Sequence, residues 1–157
     1  MRATNLIKCT VLTLTLVSTI SCFGERDTGL SIEGGNPPRF TMYGSGKLDT
    51  LRVGGPKKQR EGRAEDPYLY WVIAFKSAGS EHYVESLGPI TYGEVPSGYV
   101  QVFPRPDESL PVLSEDELYN LNAVTMNANG ARLNFAIHKG KVVSNPVVRD
   151  GKVVFTE

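Results

Sequence analysis

The side chains best suited to chemistry in this sequence are two histidines, His82 and His138, and two cysteines, Cys9 and Cys22. A zinc site needs three or four His, Cys or carboxylate ligands, often at short helical or C-x-x-C spacing. Neither spacing occurs here, so the sequence predicts no metal site and no cofactor. His82 is expected in a loop and His138 at the end of a hairpin strand. A small hydrolase or metal-dependent enzyme with a loop-built site around either histidine is the alternative.

Gly44–Lys47 (GSGK) is the one segment that suggests phosphate binding. A P-loop also needs Gly at position 41 and Ser or Thr at 48, but the chain has Thr41 and Leu48. A dinucleotide fingerprint needs a third glycine at position 49, which is Asp49. The Gly-x-Ser-x-Gly elbow of serine hydrolases is absent as well. With no catalytic motif, the sequence favours a protein that is not an enzyme.

The overall charge argues against a polyanion as partner. Lys and Arg total 17, Asp and Glu total 17, and the isoelectric point is near 6.7. Nucleic-acid-binding domains are usually markedly basic. We therefore expect no nucleic-acid partner.

Residues 1–21 have the pattern of a secretory signal peptide. Arg2 and Lys8 make the start basic, and the run Cys9–Ile20 carries no charge. The run is shorter than the ~20 apolar residues that span a bilayer. A buried N-terminal helix is the other interpretation of this run.

Cys22 stands where the leader ends. The segment Thr19–Cys22 (TISC) resembles the lipobox of bacterial lipoproteins, with Thr19 in the position where Leu is usual. The resemblance implies that Cys22 is acylated and becomes the N-terminus of the mature protein. Cys22 would also be the only cysteine left after cleavage, and unpaired thiols are uncommon in exported proteins. Ordinary cleavage after Ser21 or Gly24 would instead give a soluble secreted protein.

The body of the chain has the pattern of an all-β sandwich, because short β-branched and aromatic runs alternate with Gly and Pro. We assign residues 22–28 to a tether and 29–157 to the sandwich domain. The predicted strands are 30–33, 39–43, 48–53, 68–76, 90–92, 99–103, 118–126, 131–138, 141–144 and 152–156.

The segments between strands carry their own signals. Asn129-Gly130 and Asp150-Gly151 predict type I′ hairpin turns. Ser114–Glu117 has a capping-box pattern for about one helical turn. The charged segment Gly54–Pro67 is expected to be a solvated loop.

Aromatic residues provide the strongest core signal. Alternation in the strand 68–76 places Trp71 on a core face and Tyr68 and Tyr70 on the opposite face. Tyr99 from a neighbouring strand could join this second face, and tyrosines are common at interfaces with proteins and sugars. Tyr68, Tyr70 and Tyr99 are therefore the candidate binding face for a protein or carbohydrate ligand. The alternative is that a sheet or loop covers this face.

Tyr119 follows Leu113 by six positions and precedes an alternating strand. This spacing resembles the tyrosine corner of fibronectin type III and immunoglobulin-like sandwiches. The resemblance implies that fold type and a hydrogen bond from the Tyr119 hydroxyl to upstream backbone.

Four segments together are similar to small uncharacterised bacterial lipoproteins: Ser31–Pro38, the Trp71 strand, Ile90–Gln101 and the Tyr119 strand. That family has no assigned activity, so the resemblance implies export and fold only. The sequence thus predicts an exported, lipid-anchored cell-envelope protein, with the membrane as partner through its anchor and a binding or structural role.

Overall fold

The computed structural model describes residues 26–56, 69–76 and 82–155. The leader, Cys22 and Tyr68 lie outside these ranges. The described residues form eleven strands and one short 3-10 helix, Val84–Ser86. The strands are β1 Thr28–Gly34, β2 Pro38–Gly44, β3 Lys47–Gly54, β4 Leu69–Phe75, β5 Ile90–Thr91, β6 Tyr99–Phe103, β7 Tyr119–Met126, β8 Ala131–His138, β9 Lys141–Ser144, β10 Val147–Arg149 and β11 Lys152–Val154.

The strands form a three-stranded sheet in the order β1-β2-β5, a six-stranded sheet in the order β6-β4-β3-β7-β8-β9, and the hairpin β10-β11. Each strand pair is antiparallel. The two larger sheets meet through aromatic rings: Phe40 of β2 contacts Trp71 of β4 and Phe135 of β8. The predicted all-β sandwich is therefore confirmed. The immunoglobulin or fibronectin type III assignment stays a prediction.

The six-stranded sheet has an apolar inner face and a polar outer face, because side chains alternate along each strand. Leu51 and Val53 of β3 are buried and pair with Ala123 and Leu121 of β7. The intervening Arg52 is exposed. The inner face packs on the three-stranded sheet, and Trp71 is fully buried there, as the sequence predicts.

A β-bulge in β4 changes this alternation at one residue. Trp71 pairs with Val53 and Leu69 pairs with Gly54, so Tyr70 between them has no partner on β3. A bulge of this kind re-aims a side chain. The Tyr70 ring consequently meets Tyr119 edge-on, with ring centroids 5.3 Å apart.

The predicted type I′ conformation is present in one of the two hairpin turns and absent from the other. Asp150 and Gly151 both have positive φ at the β10-β11 turn, as predicted. Between β7 and β8 the residue with positive φ is Asn127, whereas Asn129 and Gly130 are not in that conformation. Asn129 is used differently, because its backbone bonds Arg26 and Thr28 at the start of β1.

Three segment predictions are corrected. The segment 114–117 forms no helix, because the Ser114 N–H is bonded to a side chain and Asp116 has a positive φ of 61°. Gly54 belongs to β3, and Gly55 is buried against the Tyr70 and Tyr119 rings, which leave no room for a side chain there. β10 has no counterpart among the predicted strands. Residues 57–67 of the predicted loop lie outside the described ranges.

Candidate functional site

The tyrosines chosen from the sequence as a binding face do not form an exposed surface. Tyr70 is 1% exposed and Tyr99 is 6% exposed. Their hydroxyls donate hydrogen bonds to the carbonyls of Pro56 and Leu48, at 3.1 and 3.0 Å. The prediction is therefore wrong for these two residues, since the bulge turns Tyr70 inward and Tyr99 packs beside Phe75. Tyr68 lies outside the described residues.

Tyr119 has the predicted backbone hydrogen bond. Its hydroxyl accepts a hydrogen bond from the Ser114 N–H at 2.7 Å and lies 3.3 Å from the Ser114 carbonyl. The ring is fully buried and stacks on Phe135. Burial raises the pKa of Tyr119 above its ordinary value. The contact fixes the segment that enters β7.

The two histidines occupy different surroundings. His82 packs edge-on against Phe75 and Tyr99, with ring centroids 4.6 and 5.3 Å away. His138 lies at the end of β8, where its Nδ1 is 2.7 Å from Asp116 Oδ1. Phe155 stacks on the His138 ring at 3.9 Å. The first histidine is thus part of an aromatic cluster, and the second links β8 to the segment before β7 and to the segment after β11.

No group of three or more His, Cys, Asp or Glu side chains in residues 26–56, 69–76 and 82–155 is arranged to hold a metal ion. The same ranges contain no helix with the length and hydrophobicity to cross a bilayer.

A groove of about 560 Å³ lies beside the Tyr119 corner. Its walls come from the end of β3, the corner before β7, the strands β7 and β8, and the turn of the β10-β11 hairpin. Its lining residues are Gly55, Pro56, Asp116, Glu117, Leu118, Tyr119, Asn120, Asn134, Gly151, Lys152 and Val153. Polar side chains of both charges and two carboxamides give this groove a surface suited to hydrogen bonding.

The groove continues onto the outer face of the six-stranded sheet. Asn120 pairs directly with Asn134, so the two carboxamides share that face. In the next outward-facing row, Asn122 lies between Arg52 of β3 and Arg132 of β8. Both arginines are exposed. We call these five residues the Asn-Arg face.

The signal for this face is present in the sequence. Polar residues occupy every second position at the start of β7 and at the start of β8. These positions are not among the binding residues predicted from the sequence, because the aromatic residues form the stronger pattern. Register across three strands, which brings Arg52 and Arg132 to either side of Asn122, could not be derived from one sequence.

Comparisons with known proteins give no relative: no protein-family model, no curated protein and no solved structure matches this chain.

Proposed function

We propose that this protein is exported, is anchored in a membrane of the cell envelope by lipid on Cys22, and acts there by binding rather than by catalysis. The observation that carries the proposal is the leader itself, a basic start and an uncharged run that ends at the lipobox-like Thr19–Cys22. Two or three acyl chains on one cysteine give stable membrane attachment, which a single chain does not.

The position of the groove supports a binding role. Arg26 follows Cys22 by four positions, a span of at most about 14 Å. Asp27 forms a bridge with Asn129, next to the end of β7, so the domain starts at that end of the sandwich. The groove lies at the opposite end of β7, a strand of eight residues that spans roughly 24 Å. An anchored domain would therefore hold the groove away from the bilayer.

Metabolic labelling tests the anchor. Labelled fatty acid should be incorporated into the wild-type protein and should be absent from Cys22→Ser, which should appear in the soluble fraction. Cys9→Ser is the matched control, because it removes the cysteine inside the leader and should leave labelling unchanged. A mature protein that begins at Phe23 or later would contradict the proposal.

A hydrolytic role is the second candidate, and the His138–Asp116 pair at the edge of the groove is the observation that favours it. A carboxylate on Nδ1 orients an imidazole for use as a general base. A panel of ester and glycoside substrates separates the two roles: turnover that is abolished in both His138→Gln and Asp116→Asn would favour the enzyme.

A further inference from the structure

The Asn-Arg face presents two kinds of polar side chain, guanidinium groups in one row and carboxamides in the next. Arg52 and Arg132 lie on either side of Asn122, two strand spacings apart, which is roughly 9 to 10 Å between Cα atoms. Neither guanidinium has an ion pair within the described part of the chain. A guanidinium matches the planar geometry of a carboxylate and binds it through two parallel hydrogen bonds.

The row nearer the groove has different chemistry. The carboxamides of Asn120 and Asn134 each offer two N–H donors and one carbonyl acceptor. A hydroxyl group both donates and accepts, so a carboxamide can satisfy it in either direction. Asp116, Glu117 and Lys152 line the same groove and add two carboxylate acceptors and one ammonium donor. This combination suits a ligand with many hydroxyls.

The place of this face in the sheet argues against an extended peptide. β3 pairs with β4 and β7, β7 with β3 and β8, and β8 with β7 and β9. The backbone of all three strands is therefore already paired on both sides. A peptide that binds by strand addition needs a free sheet edge. A ligand on this face must therefore be bound by side chains alone.

We propose that the Asn-Arg face, together with the adjoining groove, binds an acidic oligosaccharide, with sugar hydroxyls on Asn120 and Asn134 and a carboxylate between Arg52 and Arg132. The two rows are two residues apart along each strand, or roughly 7 Å, so the ligand must extend over more than one sugar unit. This inference deepens the proposed binding function by naming a ligand class and a surface.

The test uses the mature protein purified from whichever fraction contains it, so that it does not depend on the anchor. Binding is measured to oligogalacturonate, to alginate oligosaccharides and to hyaluronan oligosaccharides, with methyl-esterified oligogalacturonate as the neutral control. We expect at least one acidic sugar to bind. We expect the ester of a bound oligogalacturonate to bind about tenfold more weakly, because esterification removes the charge that pairs with arginine.

The double variant Arg52→Gln/Arg132→Gln should weaken acidic-sugar binding about tenfold, the product of two modest exposed charge contacts. Arg26→Gln/Arg39→Gln is the matched control, since it removes the same charge from exposed arginines elsewhere. If the double variant does not fold, a salt titration of the wild-type protein tests the contribution of charge instead. Affinity should then fall as the Debye length shrinks from about 10 Å at 0.1 M salt to about 3 Å at 1 M.

Three results would overturn the inference: no binding to any of the acidic sugars, equal loss in the control double variant, or binding to phosphatidylglycerol vesicles in place of sugars that depends on Arg52 and Arg132. Each of these leaves the lipid-labelling result unaffected, so failure of this site and failure of the anchor are distinguishable.

Discussion

The inner and outer faces of the six-stranded sheet are made by the same strands and differ in almost every property. On the inner face Trp71, Tyr119 and Phe135 are fully buried, and their rings contact one another or Phe40 of the opposite sheet. On the outer face Arg52 and Arg132 point to solvent. The comparison shows that the buried aromatic residues and the exposed arginines are separated by the alternation of side chains along the strands.

The alternation is interrupted where the strand register shifts, and the shift between β3 and β4 explains the position of Tyr70. A strict alternation would put Tyr70 on the outer face, but at the bulge in β4 its ring packs against Tyr119 in the core. Its hydroxyl is then satisfied by the Pro56 carbonyl, at the start of the groove wall. The inner face thus gains an aromatic residue.

The largest predicted effect is a loss of stability when a side chain of the inner face is truncated. Trp71→Ala should lower the free energy of unfolding by about 3 to 5 kcal/mol, because it opens a cavity between the two sheets. The loss is a large share of the ~5 to 15 kcal/mol that stabilises a typical domain. Asn122→Ala on the outer face should change stability by no more than about 0.5 kcal/mol. Denaturant unfolding of both variants measures the contrast.

Fluorescence provides an independent check of this contrast. Trp71 is the only tryptophan in the chain, and its indole N–H donates to Gln101 Oε1 at 3.2 Å. Its emission in the native protein should therefore be that of a buried indole. Emission typical of a fully solvated tryptophan would contradict the assignment of Trp71 to the inner face.

A second prediction concerns the stability of the folded protein at high pH. Burial, with a smaller contribution from the charge of Asp49, raises the pKa of Tyr99 to about 12, above its ordinary value of 10. Between these values the unfolded chain loses this proton while the folded protein keeps it, so stability falls as pH rises. The contribution is fully present below pH 10 and is lost as pH rises through 12.

Tyr99→Phe tests this assignment, because the variant has no proton to lose. It should show a shallower loss of stability between pH 10 and 12 than the wild type. Tyr43→Phe is the control for removal of a tyrosine hydroxyl, since Tyr43 is 56% exposed. Identical profiles for wild type and Tyr99→Phe would mean that Tyr99 titrates normally in the folded protein.

The bounds of the strands could be predicted from the sequence far better than which side chains lie on each face of the sheet. β6, β8 and β9 have the predicted bounds, because the apolar period and the flanking Gly residues are local signals. The inward turn of Tyr70 depends on a register shift against β3, and register is a property of two strands. The groove needs the β10-β11 hairpin beside β7 and β8, which no local pattern encodes. Tyr119 is the exception, because its contact to Ser114 spans only five positions.

The smallest predicted effect concerns that local contact. Tyr119→Phe keeps the buried ring and removes only the hydroxyl, so it should lower the free energy of unfolding by roughly 0.5 to 1.5 kcal/mol, the net value of one hydrogen bond. The Ser114 N–H loses its acceptor in the variant, and Ser114 itself is exposed, so water can replace the lost partner. Tyr43→Phe again serves as control and should lose almost nothing. Because the corner also forms a wall of the groove, acidic-sugar binding should weaken more in Tyr119→Phe than in Tyr43→Phe if the hydroxyl fixes that wall. Equal stability of the two variants would show that the corner is held by ring packing on Phe135 and Tyr70 alone.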